Sequence, residues 1–156
     1  GYYLDPLKKC SCSAQKVKNY WSRLSGPLLD RIDLHIEVPR LKQDELSSQP
    51  DGESSKNIRQ RVLRARELQQ ERFAGGGTYC NARMTPRQMR EFCRLDNEAE
   101  ELLKSAILHL QLSGRAYDRI LKVSRTIADL AGEVVIQACH IAEAIQYRTL
   151  YRKEMN

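Results

Sequence analysis

Arginine is the residue type in this sequence whose placement could do chemistry. The stretch SGPLLDRIDLHIEVP, residues 25–39, sets Arg31 at the mouth of an alternating apolar and polar run. A guanidinium is always charged and presents a rigid fork of donors that suits carboxylates and phosphates. Arg31 therefore either caps a local carboxylate (Asp30, Asp33 or Glu37) or reaches for a phosphate. Arg115 falls in the first turn of a helix that Ser113 can cap, where the helix dipole favours anions. Arg119 lies one turn further along the same helix, and Arg125 beyond it. Arg59, Arg61, Arg64 and Arg66 crowd a separate helix and form a candidate nucleic-acid surface, with Lys8, Lys9, Lys16, Lys18 and Trp21 a second one. Phosphate contacts from such residues are salt-dependent and largely blind to base sequence. Pairing within the helix, as of Glu67 with Arg64, is the plain alternative.

Cys10 and Cys12 form a C-x-C pair. Two thiolates are half of a structural zinc site, which needs four ligands, usually in two pairs. Cys80, Cys93 and Cys139 read as small apolar residues. His35, His109 and His140 stand apart from any acid at metal or catalytic spacing. Glu98, Glu100 and Glu101 are a solvated helix start, favourable to the dipole.

The elements that must position these groups are mostly helical. Ser25-Gly26-Pro27 opens one helical turn over 25–31. Ile32, Leu34, Ile36 and Val38 alternate with Asp33, His35 and Glu37, a period of two that predicts a strand over 32–38, ended by Pro39. The polar stretch 43–55, QDELSSQPDGESS, reads as a linker. Beyond it, Ile58, Val62, Ala65, Leu68 and Phe73 recur at helical spacing, and Gly75-Gly76-Gly77 stops that helix. Thr85-Pro86-x-Gln88 is a capping box that opens a helix to about residue 95. Asp96 caps the next helix, with Leu102, Leu103, Ala106, Ile107 and Leu110 as its stripe. Ser113 caps another, with Ala116, Ile120, Val123, Ile127 and Leu130 inward, ending at Gly132. A last helix over 138–152 turns Ile141, Ile145 and Leu150 inward. Four or five amphipathic helices with short joins make a bundle. A lone strand is unstable, so residues 1–42 are expected to be the tail of an α/β domain whose other strands precede Gly1. The chain starts without Met and reads as a piece of something longer.

The 156 residues, with 41% apolar and 29% charged, suffice for one domain or a small pair with a real core. Apolar runs are too short to cross a membrane. Five cysteines without a disulfide spacing point to a reducing cytoplasm. A net charge of +6 favours polyanionic partners.

SGPLLDRIDLHIEVP, Cys80-Asn81-Ala82, SGRAYDRILKVSRTIADLAG (113–132) and HIAEAIQYR (140–148) together resemble the magnesium-chelatase-like AAA+ ATPases of the ComM/YifB type, linked to natural competence and DNA branch migration. The resemblance runs from Gly1 to Arg152. It implies a fold that is mainly α: a helical AAA+ lid over 56–156, preceded by a remnant of the α/β core with one strand. It implies ATP and Mg2+ as cofactors, a homo-oligomeric hexameric ring, DNA as a partner and no membrane. Arg31 would be the arginine finger, acting in trans on a neighbour's nucleotide. Arg115 would be the sensor-2 residue that binds the nucleotide of its own subunit, with Arg119 in reserve. A C-P-C-G stretch precedes the matching tract in the family pattern, so Cys10 and Cys12 would complete a structural zinc site. With only that half present, residues 1–20 are expected to be loose.

No G-x-x-x-x-G-K-[ST] occurs in the sequence. The chain alone is expected to be monomeric, to hold no cofactor and not to hydrolyse ATP. The rival reading is a basic helical module that binds nucleic acid or protein and has no nucleotide role. It predicts that Arg31 is paired locally and Arg115 dispensable. Magnesium insertion into a porphyrin follows only from the family's name, and no residue here supports it.

Overall fold

The computed structural model describes residues 1–3, 5–38, 40–41 and 52–149. It contains α1 (Ala14–Trp21), α2 (Gly26–Leu29), α3 (Ser55–Arg72), a 3-10 turn (Asn81–Arg83), α4 (Pro86–Phe92), α5 (Asn97–His109), α6 (Gly114–Ala131) and α7 (Ala138–Thr149). The protein is mainly α. Most of the linker 43–55, Pro39, Leu150 and the end of the last helix lie outside the described residues.

Local chemistry sets the helix boundaries. Ser25, Asp96 and Ser113 each accept a backbone N–H from the first turn that follows. Thr85 and Gln88 close the capping box reciprocally, and Pro86 takes the first helical position. Gly132 ends α6 at φ 78°, a left-handed conformation that costs an L side chain energy. Ser13 caps α1 in the same way, so residues 14–21 are helical where a loose segment is expected from the sequence.

The core is built from Phe73, Met84, Met89, Cys93, Ala99, Leu103, Ile120, Leu121, Ala128, Ile136, Ile141 and Ala144. α6 is its spine, with α3, α4, α7 and the 3-10 turn packed around it, and α5 lies against α7. Ile136, fully buried, forms one parallel bridge with Leu95 and so ties the α4–α5 join to the α6–α7 join. Its N–H donates to Arg94 O and its carbonyl accepts from Asp96 N.

Three expectations are corrected. Residues 32–38 are not a strand: among the described residues none runs beside them as a ladder partner, and a strand needs one. Their backbone instead meets the end of α7, where His35 N donates to Tyr147 O at 2.7 Å. On α3, Ala65, Gln69 and Phe73 are buried but Ile58, Val62 and Leu68 are exposed, so the apolar stripe is covered only in part. On α6 the buried face is rotated. Ala116 and Ile120 are inside as expected, Leu130 is exposed, and Ser124, Arg125 and Asp129 take the interior.

Candidate functional site

Arg31 sits just past α2, where its N–H still donates to Leu28 O, and its side chain is exposed. The two carboxylates beside it are engaged elsewhere. Asp30 Oδ2 accepts the Ser113 hydroxyl at 2.7 Å, and Asp30 Oδ1 lies 3.6 Å from Arg148 Nη2. Asp33 is 2.5 Å from Arg119 Nη1. Among the described residues no ion pair holds Arg31. The backbone around it is anchored nonetheless: Arg148 Nη1 donates to Ile32 O at 2.8 Å, and Arg148 itself is buried.

Arg115 is the second residue of α6. It is exposed, and no described residue pairs with it. Ser113 Oγ accepts Ala116 N at 3.2 Å while donating to Asp30, so a single hydroxyl caps α6 and tethers the Arg31 segment. The two exposed arginines therefore flank one contact, Arg31 next to Asp30 and Arg115 two residues past Ser113. Arg119, in contrast, is committed to Asp33.

At the N-terminus, Cys10 and Cys12 converge. Backbone N–H groups of Cys12 and Tyr2 donate to the Cys10 sulfur and hold its thiol below the usual value. A Cβ on Gly1 would lie 2.6 Å from Cys12 Sγ and 3.3 Å from Cys10 Sγ, so both sulfurs crowd a backbone that has no side chain. A sulfur that accepts N–H bonds, as that of Cys10 does, is suited to the thiolate form, the form that ligates metal. Among the described residues no third His, Cys, Asp or Glu joins them. The pair fits half of a tetrahedral thiolate site.

Comparison with known proteins decides the family. Residues 52–148 match the magnesium chelatase, subunit ChlI C-terminal model, and residues 1–46 match the magnesium chelatase, subunit ChlI model. The chain belongs to the magnesium chelatase ChlI family. It is 48% identical over 153 residues to competence protein ComM of Haemophilus influenzae, covering 97% of this chain and 29% of that protein. It is 41% identical over 142 residues to the uncharacterised YifB of Escherichia coli, covering 90% and 27%. The uncharacterised Mb2921c of Mycobacterium bovis is 38% identical over 144 residues, covering 92% and 28%. The chain thus spans under a third of each relative's length. These likenesses make it a ComM/YifB-type, AAA+-family segment. No described helix is long and apolar enough to cross a membrane.

Two further sets of arginines stand out in this ChlI-family segment. Arg59, Arg61, Arg64 and Arg66 are all exposed on α3, and among the described residues Arg61 alone of the four is ion-paired, with Glu53 at 2.8 Å. Arg72, at the end of the same helix, turns inward. Its Nη2 and Nη1 meet Asp129 Oδ1 and Oδ2 at 2.5 and 2.7 Å, and Nη1 also donates to Asn81 Oδ1 at 2.9 Å. Asn81 Nδ2 donates to Asp129 Oδ2 at 2.7 Å and to Thr126 Oγ1 at 3.1 Å. Arg125 Nε reaches Asp129 Oδ1 at 3.0 Å, and its two terminal nitrogens donate to the carbonyls of Val134 and Glu133. Burial pulls the Arg125 guanidinium below its usual value, and Asp129 beside it works the other way.

This buried network joins α3, the 3-10 turn, α6 and the start of the α6–α7 join. The i, i+4 spacing of Arg125 and Asp129 was the one local signal of it. Arg148 carried no comparable signal of its contacts with Ile32 and Asp30, which lie more than a hundred residues away in sequence.

Proposed function

We propose that this segment is the C-terminal, nucleotide-sensing part of an ATP-driven ring motor that acts on DNA as a helicase or branch-migration factor. Arg31 is its arginine finger and reaches the nucleotide of a neighbouring subunit. Arg115 is the sensor-2 residue, with Arg119 a weaker candidate because it must first leave Asp33. ATP and Mg2+ are the cofactors of the full-length protein, and a homo-oligomeric ring, a hexamer, is its working state. Hydrolysis releases both arginine contacts and so rotates the lid against the core, a ligand-biased two-state change.

One observation carries this reading: Arg31 is exposed and unpaired among the described residues while Asp30 and Asp33 are both taken by other partners. Of the local carboxylates that the rival reading would use, Asp30 and Asp33 have other partners, and Glu37 forms no ion pair with Arg31 among the described residues. A planar guanidinium placed against a transferring phosphoryl group contributes about 10³–10⁵ in rate in related chemistry. The test is made in the full-length protein, by mixing Arg31→Ala subunits with subunits that lack the phosphate-loop lysine. Recovered ATP hydrolysis in mixed rings supports action in trans. Wild-type hydrolysis by Arg31→Ala alone would refute the finger.

DNA contact through α3 is supported by five exposed cations, Lys56, Arg59, Arg61, Arg64 and Arg66, in a stretch without an acid. A structural zinc ion is supported by the converging sulfurs of Cys10 and Cys12, which would supply two of its four ligands and fix the loop ahead of α1. Metal analysis of the full-length protein, compared with its Cys10→Ser/Cys12→Ser variant, tests it. Zinc content equal in the two would rule the pair out.

A further inference from the structure

Among the described residues Arg31 is unpaired at its tip and fixed at its base, and the groups that fix it lie far away in sequence. Arg148 brackets it. One terminal nitrogen donates to the carbonyl of Ile32, the residue after Arg31, and the other faces the carboxylate of Asp30, the residue before it. Asp30 in turn holds the hydroxyl that caps α6. Asp33 to Arg119 and His35 N to Tyr147 O extend the same attachment along residues 33–35. The segment that carries Arg31 is therefore mounted on α6 and α7.

We infer that Asp30 and Arg148 are positioning residues for Arg31, acting as a clamp that makes it move with α6 and α7 and keeps Asp30 from neutralising it. This rests on the reading of Arg31 as a finger. The physical need is clear. An arginine on a short loop samples many directions, and a misplacement of about 1 Å at a reacting centre can cost about 10²-fold in rate. Asp30 is also the carboxylate next to Arg31 in sequence. With Arg148 and Ser113 occupying both its oxygens it has little left to offer; released, it would pair with Arg31 and draw it off the phosphate. The fork matters as well as the charge. Lysine at 148 keeps the charge but gathers its donors on one nitrogen at the end of a shorter side chain, and so loses the two-nitrogen fork that spans Ile32 O and Asp30.

The experiment uses Arg148→Lys and Asp30→Asn in the full-length protein, with ATP turnover measured alone and combined with Arg31→Ala. Asp30→Asn keeps an acceptor for Ser113 and removes the pair with Arg148. Each is expected to lower kcat about tenfold while leaving KM for ATP within about twofold. Added to Arg31→Ala, neither is expected to lower the rate further, because both act through the side chain already removed. In the 156-residue chain, Arg148→Lys is expected to speed amide hydrogen exchange at His35, whose N–H bonds to α7. A slow Arg31→Ala with unchanged kcat in both clamp variants would overturn the clamp and leave the finger standing. Multiplicative losses in the double variants would overturn it too, by showing a separate structural role. Wild-type turnover by Arg31→Ala would overturn both.

Discussion

Asp129 is the carboxylate on which the buried network turns, and removing it gives the sharpest test of the fold. Its side chain is fully buried and takes four donors: Arg72 twice, Arg125 and Asn81. Asp129→Ala would leave two guanidiniums facing a cavity, Arg125 almost wholly buried and Arg72 half-buried. Breaking a buried ion pair on one side costs about 3–5 kcal/mol, because the charge left behind has no partner. That is a large share of the roughly 5–15 kcal/mol available to a folded domain. At about 2–4 °C per kcal/mol for a chain of this size, Tm falls by about 6–20 °C. Asp129→Asn keeps the shape and one acceptor, and turns an amide NH2 towards donors, so it falls between. The assay is urea unfolding followed by circular dichroism, with a lower midpoint and an unchanged slope. A surface pair would be screened in about 1 M salt, whereas this one is not. A loss under about 1 kcal/mol, or equal stability of wild type and variant at high salt, would refute the network as described.

Three further outcomes are expected. Burial raises the Cys93 thiol to about 11, although Arg125 and Arg72 oppose it. The unfolded chain releases that proton near its ordinary value of 9.0, so the contribution is complete below pH 9 and is lost as pH rises towards 11. The fall amounts to about 2–3 kcal/mol and is absent from Cys93→Ala, which unfolding at paired pH values will show. Gly132→Ala, at φ 78°, is expected to cost about 1 kcal/mol, whereas Gly114→Ala inside the first turn of α6 meets nothing within 4 Å and is expected to be neutral or stabilising. Thermal unfolding separates the two. Replacing Arg59, Arg61, Arg64 and Arg66 by Gln is expected to weaken duplex DNA binding and to flatten its salt slope by about 0.9 for each phosphate that α3 no longer neutralises. An unchanged slope in fluorescence anisotropy would take DNA off α3.

What could be read from the sequence was what local chemistry decides. Ser25, Thr85, Gln88, Asp96, Ser113 and Gly132 act within four residues of themselves, and each sits at the helix end where its type places it. The strand over 32–38 failed for the opposite reason: alternation describes a side-chain pattern, but a strand exists only with a neighbour to share its hydrogen bonds. The same limit hid the interior of α6. Apolar periodicity puts Arg125 and Asp129 outside, since charges are rarely buried unless paired. Their partners come from Arg72, Asn81 and the α6–α7 join, and these meet only in the fold. At the candidate site the arginines themselves were visible, but the clamp was not. Nothing local to Arg148 announces Asp30 or Ile32, which lie 118 and 116 residues earlier.

The partners sort these arginines by what each would lose on reaching a phosphate. Arg125 and Arg148 are buried and Arg72 half-buried against carboxylates and carbonyls, and withdrawing any of them would strand those acceptors, at about 1–3 kcal/mol for each group left unmade. Arg119 would forfeit a half-exposed ion pair with Asp33, a smaller loss of about 1 kcal/mol or less. Arg31 and Arg115 have no ion pair among the described residues to give up. Both are exposed, both lie beside the one contact between Asp30 and Ser113, and each is carried on backbone that other residues hold in place. A guanidinium that has to stabilise charge at the moment of reaction contributes most when no rearrangement precedes it. Of the arginines that could meet a nucleotide, these two begin from the state that requires least. On the proposed reading, that ranking favours Arg115 over Arg119 as the nucleotide contact and suits Arg31 to the part of a finger.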